Sequence, residues 1–206
     1  LTHTVVATCD KEISEYIKSI GGKAIMTSEK HERASDRCAE ALIKIEKEYK
    51  IKYDIVVMVQ GDEPMTHPDM INEAVKPMIE NKDIEVVNLK GDIENLEEFN
   101  DPNCIKVVCD NQGDALYFSR QPIPNNKLLK PKNFKKQVCI IPFRREFLIE
   151  YTKLSPTFLE VTESIDMLRV LEHGKKVRMV PTKFKSFAVD TKEDLIKVEK
   201  IINSKK

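Results

Sequence analysis

Two acidic residues stand where this chain could do chemistry. Asp62 lies in Gln60-Gly61-Asp62-Glu63-Pro64, directly after the apolar run Ile55-Val56-Val57-Met58-Val59, and Asp190 follows Phe184 to Val189. An acid held at the carboxyl end of a buried strand suits Mg²⁺. That ion takes one or two carboxylates and leaves its other positions to water and phosphate oxygens. Gly61 has no side chain, so a ligand or another backbone can approach it closely. Two such acids from distant strand ends could share one ion. The same residues also fit local roles: Asp62 bonded to its own turn, and Asp190 or Thr191 capping the next helix with Glu193 closing a capping box.

Candidates for holding an anion come next. His31-Glu32-Arg33-Ala34-Ser35-Asp36-Arg37 is a polar loop entering a helix N-terminus, which welcomes negative charge. Ser35 or Asp36 is expected to cap that helix. Arg37 gains nothing from the dipole at that end, so its guanidinium is a candidate ligand group. Tyr117-Phe118-Ser119-Arg120 and Phe143-Arg144-Arg145 each end an apolar run in arginine, the side chain for bidentate carboxylate or phosphate binding. Each arginine also fits a rim charge of small energetic weight.

The elements that must position these groups alternate. Short apolar runs at Thr4–Thr8, Lys23–Met26, Asp54–Gln60 and Ile84–Leu89 read as strands, the first buried on both faces. Between them, helical spacing recurs at Ile13, Tyr16, Ile17 and Ile20 after the cap Asp10; at Ala39, Leu42 and Ile45; and at Ile71, Ala74, Val75 and Met78 after Pro68. This rhythm predicts a mostly parallel, doubly wound α/β sheet. Beyond residue 100 the pattern changes. Ile105–Cys109 and Ala115–Phe118 flank Asn111-Gln112-Gly113 as a hairpin. Residues 121–136, with three prolines and five lysines, read as an exposed loop. Val138–Phe143, Val177–Val180 and Phe184–Val189 read as strands, with helices over Glu146–Tyr151, Phe158–Leu171 and Thr191 onward. One domain is expected: an α/β part over 1–100, a hairpin region over about 101–145 and a C-terminal α/β part over 146–206.

Composition excludes several classes. Lys+Arg and Asp+Glu are both 34, so no basic footprint for nucleic acid or an acidic membrane exists. No apolar run reaches the roughly 20 residues of a membrane span. Five scattered cysteines without a C-x-x-C pair read as reduced core thiols of a cytoplasmic protein.

The residues together resemble the 3-deoxy-manno-octulosonate cytidylyltransferases, the CMP-Kdo synthetases. The match is carried in order by Val6-Ala7-Thr8, Met26-Thr27 through Ser35-Asp36-Arg37, Val59 to Pro64, Ile105 to Val108, Ala115 to Arg120 and Pro122-Ile123-Pro124. It continues through Leu159-Glu160 with Glu163, Leu168 to Glu172, and Val189-Asp190-Thr191. The resemblance implies a nucleotide-diphospho-sugar-transferase-like fold, a small β-rich dimerisation region and a homodimer. It implies CTP and a Kdo-like sugar acid as substrates, with CMP-sugar and pyrophosphate as products, for lipopolysaccharide synthesis. It also implies Mg²⁺ on Asp62 and Asp190. Gln60, Arg37, Arg120, Gln137, Glu160 and Glu163 match positions around the sugar; Thr8, Ala34, Ser35 and Asp36 match the nucleotide side. Catalysis is then mainly positioning and neutralisation as the anomeric hydroxyl attacks the α-phosphorus.

Departures from the family qualify the expectation. Ala34-Ser35-Asp36 stands where Gly-Thr-Asp or Gly-Thr-Glu is usual, Cys9 where Asp is common, and Gln137 where a sugar-facing His is usual. An amino-Kdo or another 2-keto-3-deoxy sugar acid therefore also fits. The family's first βα unit, with its Pro-Gly-Lys triphosphate loop, has no counterpart in this numbering. Its strand belongs in mid-sheet, so a longer polypeptide or another segment is expected to supply it. Two other readings fit: a CMP-sialic-acid-type cytidylyltransferase, and a non-catalytic sugar- or nucleotide-binding subunit lacking that loop.

Overall fold

Alternate residues of the central strands pack to opposite sides, which makes a sheet covered on both faces. Val86, Ile141 and Phe143 join one buried cluster with Leu42, Phe147, Leu148 and Leu168. Their neighbours Val87, Leu89, Val138 and Ile140 join a second cluster with Met70, Ala74 and Met78. The structure is a computed structural model and describes residues 1–125 and 133–204. In order, its elements are β1 (Val6–Thr8), α1 (Lys11–Ser19), β2 (Ala24–Met26), α2 (Ala34–Tyr49), β3 (Ile55–Val59), α3 (Pro68–Glu80), β4 (Val87–Asp92) and α4 (Leu96–Asn100). These are followed by β5 (Lys106–Cys109), β6 (Ala115–Ser119), β7 (Lys135–Val138), β8 (Ile140–Arg144), α5 (Arg145–Tyr151), α6 (Phe158–Glu163), α7 (Asp166–Glu172), β9 (Arg178–Pro181) and α8 (Lys192–Asn203).

The α/β class holds, but the sheet is mixed. β1–β2 and β4–β9 are parallel, whereas β3–β8, β4–β7, β5–β6 and β5–β7 are antiparallel. The five-stranded order is β6-β5-β7-β4-β9. A bridge from Val86 to Phe143, with Arg144 N donating to Glu85 O at 2.8 Å, joins β8 to the start of β4. Among the described residues β1 is paired along one edge, to β2, and β3 along one edge, to β8, while α2 packs against all of β1, β2 and β3.

Local chemistry explains most boundaries. Asp10 accepts from Ile13 N and Gly21 leaves α1 at φ +80°, Pro68 opens α3, and Gly113 turns the β5–β6 hairpin at φ +86°. Thr191 caps α8, its box closed by Asp194 rather than Glu193. Other expectations fail where tertiary contacts decide. α2 begins after Arg33 without a side-chain cap, because Ser35 Oγ instead donates to Asp166 at 3.0 Å. The expected helix over Phe158–Leu171 breaks at Ser164 (φ 54°), which lets Arg169 of α7 turn back onto Glu160 of α6. Phe184–Val189 is not a strand. The expected loop over 121–136 ends early, since Lys135 and Lys136 belong to β7; residues 126–132 lie outside the described residues. Lys136 is not solvated but pairs with Glu98 at 2.5 Å. The apolar stripe of α1 points outward, with Ile13, Tyr16 and Ile20 exposed, because its opposite face packs on β1 and β2.

Glu46 ties α2 to α5. Buried at 5% exposure, it accepts from Arg145 Nε at 2.7 Å and Nη2 at 2.8 Å, and also from Lys52 and Tyr53 N. Those bonds, Arg145 first, hold its carboxyl down at about 2. A folded-state value below the unfolded one stabilises the fold above pH 4.5, and that part is lost as pH falls towards 2. Glu46→Gln is expected to lower stability by about 3 kcal/mol at neutral pH. Chemical denaturation should show a smaller loss in the variant than in the parent between pH 6 and pH 3.

Candidate active site

The loop after β3 and the segment after β9 meet at the carboxyl end of β3. Val189 N donates to Asp62 O at 2.9 Å, so the residues bearing Asp62 and Asp190 lie side by side. Both acids line a cavity of about 510 Å³, together with Gln60, Ala34, Gln137, Arg120, Lys136 and Lys197. Asp62 Oδ1 is buried with no partner among the described residues. Burial pushes the Asp62 carboxyl up, as does the Asp190 carboxylate, while its own backbone N–H opposes this. Burial and Asp194 push the Asp190 carboxyl up. A buried, unpartnered carboxylate oxygen beside a second acid is an arrangement completed by a cation. Among the described residues no group of three or more His, Cys, Asp or Glu is placed to hold a metal ion by itself.

Opposite charges sit nearby. Arg120 is clamped: Nε donates to Glu163 O at 2.6 Å, Nη1 to Pro102 O at 3.0 Å and its backbone N to Glu163 Oε2 at 2.8 Å. Lys106 adds to this frame, a role not expected from its place in the apolar run Ile105–Cys109. Its fully buried Nζ donates to the carbonyls of Asp101, Cys104 and Arg120, at 2.8, 2.6 and 2.5 Å. Gln137 is oriented through a chain of amides. Asn88, fully buried, gives its Nδ2 to Leu89 O and Val138 O, so its Oδ1 must accept from Gln137 Nε2, at 2.5 Å. Gln137 Oε1 is left without a partner among the described residues. The cavity wall there offers an acceptor.

Other candidates lie elsewhere. Glu160 is fully buried, bidentate to Arg169 at 2.6 and 2.7 Å, and away from the cavity wall. Glu163 spends its oxygens on Ser119 Oγ, Tyr117 OH and Arg120 N. Arg37 binds Thr27 Oγ1 at 2.6 Å and the carbonyls of Ser28 and His31, and so shapes the 27–31 loop. Thr8 Oγ1 accepts from Asp10 N, and Ser35 faces Asp166. Asp36 sits in the first turn of α2. Arg144 donates to the carbonyls of Met78, Asn81 and Ile84 at the end of α3, and Arg145 belongs to Glu46.

Known proteins resemble this chain in sequence and fold. A cytidylyltransferase family profile matches residues 1–177. The 3-deoxy-manno-octulosonate cytidylyltransferase of Geobacter metallireducens is 42% identical, over 96% of this chain and 80% of the relative. That of Fusobacterium nucleatum is 39% identical, over 98% of this chain and 80% of the relative. A solved CMP:2-keto-3-deoxy-manno-octonic acid synthetase, complexed with CTP, superposes with a TM-score of 0.88 at 31% identity, covering 100% of this chain and 83% of that one. A 4-diphosphocytidyl-2C-methyl-D-erythritol synthase from Anaerococcus prevotii, at 12% identity and a TM-score of 0.60, shares the fold alone. With near-complete coverage at about 40% identity, this chain belongs to the 3-deoxy-manno-octulosonate cytidylyltransferase family.

Proposed function

We propose that this chain transfers CMP from CTP to the anomeric hydroxyl of 3-deoxy-manno-octulosonate, or of a close 2-keto-3-deoxy sugar acid, and releases pyrophosphate. The observation that carries this reading is the pairing of Asp62 and Asp190 on one wall of a cavity that also presents Arg120, Lys136 and Lys197. Asp62 and Asp190 would hold Mg²⁺, which supplies neutralisation of the charge that builds on phosphate oxygens. The chain's own groups do the rest by position. Arg120, whose guanidinium donates to the carbonyls of Glu163, Pro102 and Ser164, offers a preset face to a carboxylate or phosphate without first having to order itself. Gln137 Oε1 accepts from a ligand hydroxyl or amine and disfavours an acceptor at that point. A homodimer is part of the same reading.

The test is pyrophosphate release. The protein with CTP, Kdo and Mg²⁺ is expected to yield pyrophosphate and CMP-Kdo in equal amounts, with none when the sugar or the metal is withheld. Replacement of Gln137 by Met should raise KM for the sugar acid about tenfold and leave KM for CTP near its parent value. A parent protein that binds CMP-sugar yet forms no pyrophosphate would overturn the proposal in favour of a binding subunit.

A further inference from the structure

Asp190 reaches the cavity at the end of a strap, residues 182–190, that belongs to no β-ladder. The strap is pinned to the loop after β3 at three points. The ring of Phe184 stacks on that of His67 with centroids 4.4 Å apart, Ser186 Oγ donates to Glu63 Oε2, and Val189 N donates to Asp62 O. The middle pin differs in kind. Glu63 is 7% exposed and takes part in no ion pair among the described residues. The nearby ammonium of Lys136 is given to Glu98 at 2.5 Å and to Ser186 O at 3.0 Å. Burying a carboxylate without a paired cation is costly, and an apolar residue there would avoid that cost.

The second oxygen of Glu63 shows what the group does. Oε1 accepts from Cys139 N at 3.2 Å, and Gln60 N donates to Cys139 O at 3.3 Å. Cys139 is the residue at which the continuous run from Lys135 to Arg144 divides into β7 and β8. Glu63 therefore occupies both carboxylate oxygens with fixed donors, one at a break in the central sheet and one on the strap. It lies directly after Asp62 in the chain and grips the strap four residues before Asp190. Like charges on the two irregular segments repel, and the Glu63 grip opposes that repulsion alongside the Val189 N–H bond to Asp62 O.

We propose that Glu63 is a positioning residue for the metal pair: by clamping Ser186 and the Cys139 N–H it holds Asp190 beside Asp62 before any cation arrives. The proposal rests on the reading of Asp62 and Asp190 as cation ligands. It has no need of Glu63 touching the ion or the substrates.

Binding of Mn²⁺ alone, followed by electron paramagnetic resonance well below the lowest melting temperature, tests the clamp. Glu63→Ala and Ser186→Ala are each expected to weaken Mn²⁺ binding by about tenfold or more, the usual weight of groups that orient metal ligands. Glu63→Gln should stay within about threefold of the parent, since its amide still accepts from Cys139 N and can donate to Ser186 Oγ. Glu46→Gln, remote from the cavity, should lower the melting temperature and leave Mn²⁺ binding unchanged. A folded Glu63→Ala or Ser186→Ala protein with parental Mn²⁺ affinity overturns the clamp, and Ser186→Ala decides alone if Glu63→Ala does not fold. Parental affinity in Asp62→Asn, or no binding in the parent, instead overturns the metal pair and the clamp with it.

Discussion

Asp62→Asn is expected to reduce CMP transfer by about 10³-fold or more and to leave the fold as stable as before, or slightly more so. The activity loss follows from charge: an amide binds a divalent cation far less well, and several kcal/mol of neutralisation at the phosphate oxygens corresponds to that factor. The stability effect runs the other way. Asp62 Oδ1 is buried without a partner among the described residues, and Asp190 pushes its carboxyl further up. A neutral amide of the same size removes both penalties in the metal-free protein. Steady-state pyrophosphate release and thermal melting without metal check the two halves. Activity within tenfold of the parent would remove Asp62 from the cation site, and a large fall in melting temperature would make it a residue of the fold.

Arg169→Met should do the reverse, costing about 4 kcal/mol of stability with little effect on catalysis. It strands the fully buried Glu160, whose remaining cation among the described residues is Arg33 at 3.6 Å, and it removes the guanidinium that stacks 4.7 Å from the Tyr151 ring centre. Breaking one side of a buried pair costs roughly 3–5 kcal/mol, about 10 °C in a chain of this length. Adding Glu160→Met to the variant should recover part of the loss, because it removes the stranded buried carboxylate, although Thr157 N loses its capping acceptor. Below the melting range, kcat/KM for the sugar acid should stay within about threefold of the parent. A raised sugar KM with an unchanged melting temperature would instead place Glu160 at the substrate, as the family resemblance implies.

These two variants mark how far the sequence could be read. Asp62 was legible because a β-branched, apolar run ending in Gly-Asp announces both the buried strand and the rim on which the acid stands. Asp10, Pro68, Gly113 and Thr191 were legible as caps and turns, since each acts on backbone groups within four residues. The partner of Glu160 was not legible: a carboxylate in a helical pattern looks the same whether it meets a ligand or an arginine nine residues on. The roles of Glu63, Lys106 and Asn88 could not be read locally, for each has a partner far along the chain: Ser186 for Glu63, Arg120 O for Lys106 and Val138 O for Asn88, 123, 14 and 50 residues away. The mixed sheet escaped for a related reason. Alternating strands and helices suit parallel crossovers, but the direction of β7 against β4 and of β8 against β3 depends on a return of the chain after the hairpin, which no local pattern records.

What the amino-acid order determined was short-range: where strands and helices arise, which residues end them, and that two acids close apolar segments. Backbone hydrogen bonding and side-chain periodicity act over a few residues and leave a readable pattern. What the tertiary structure alone decided was convergence. It brought Asp190 to Asp62 on a strap rather than a strand, turned Gln137 through Asn88, and gave Glu160 to Arg169. Each is a contact between segments distant in the chain, set by which surfaces bury together.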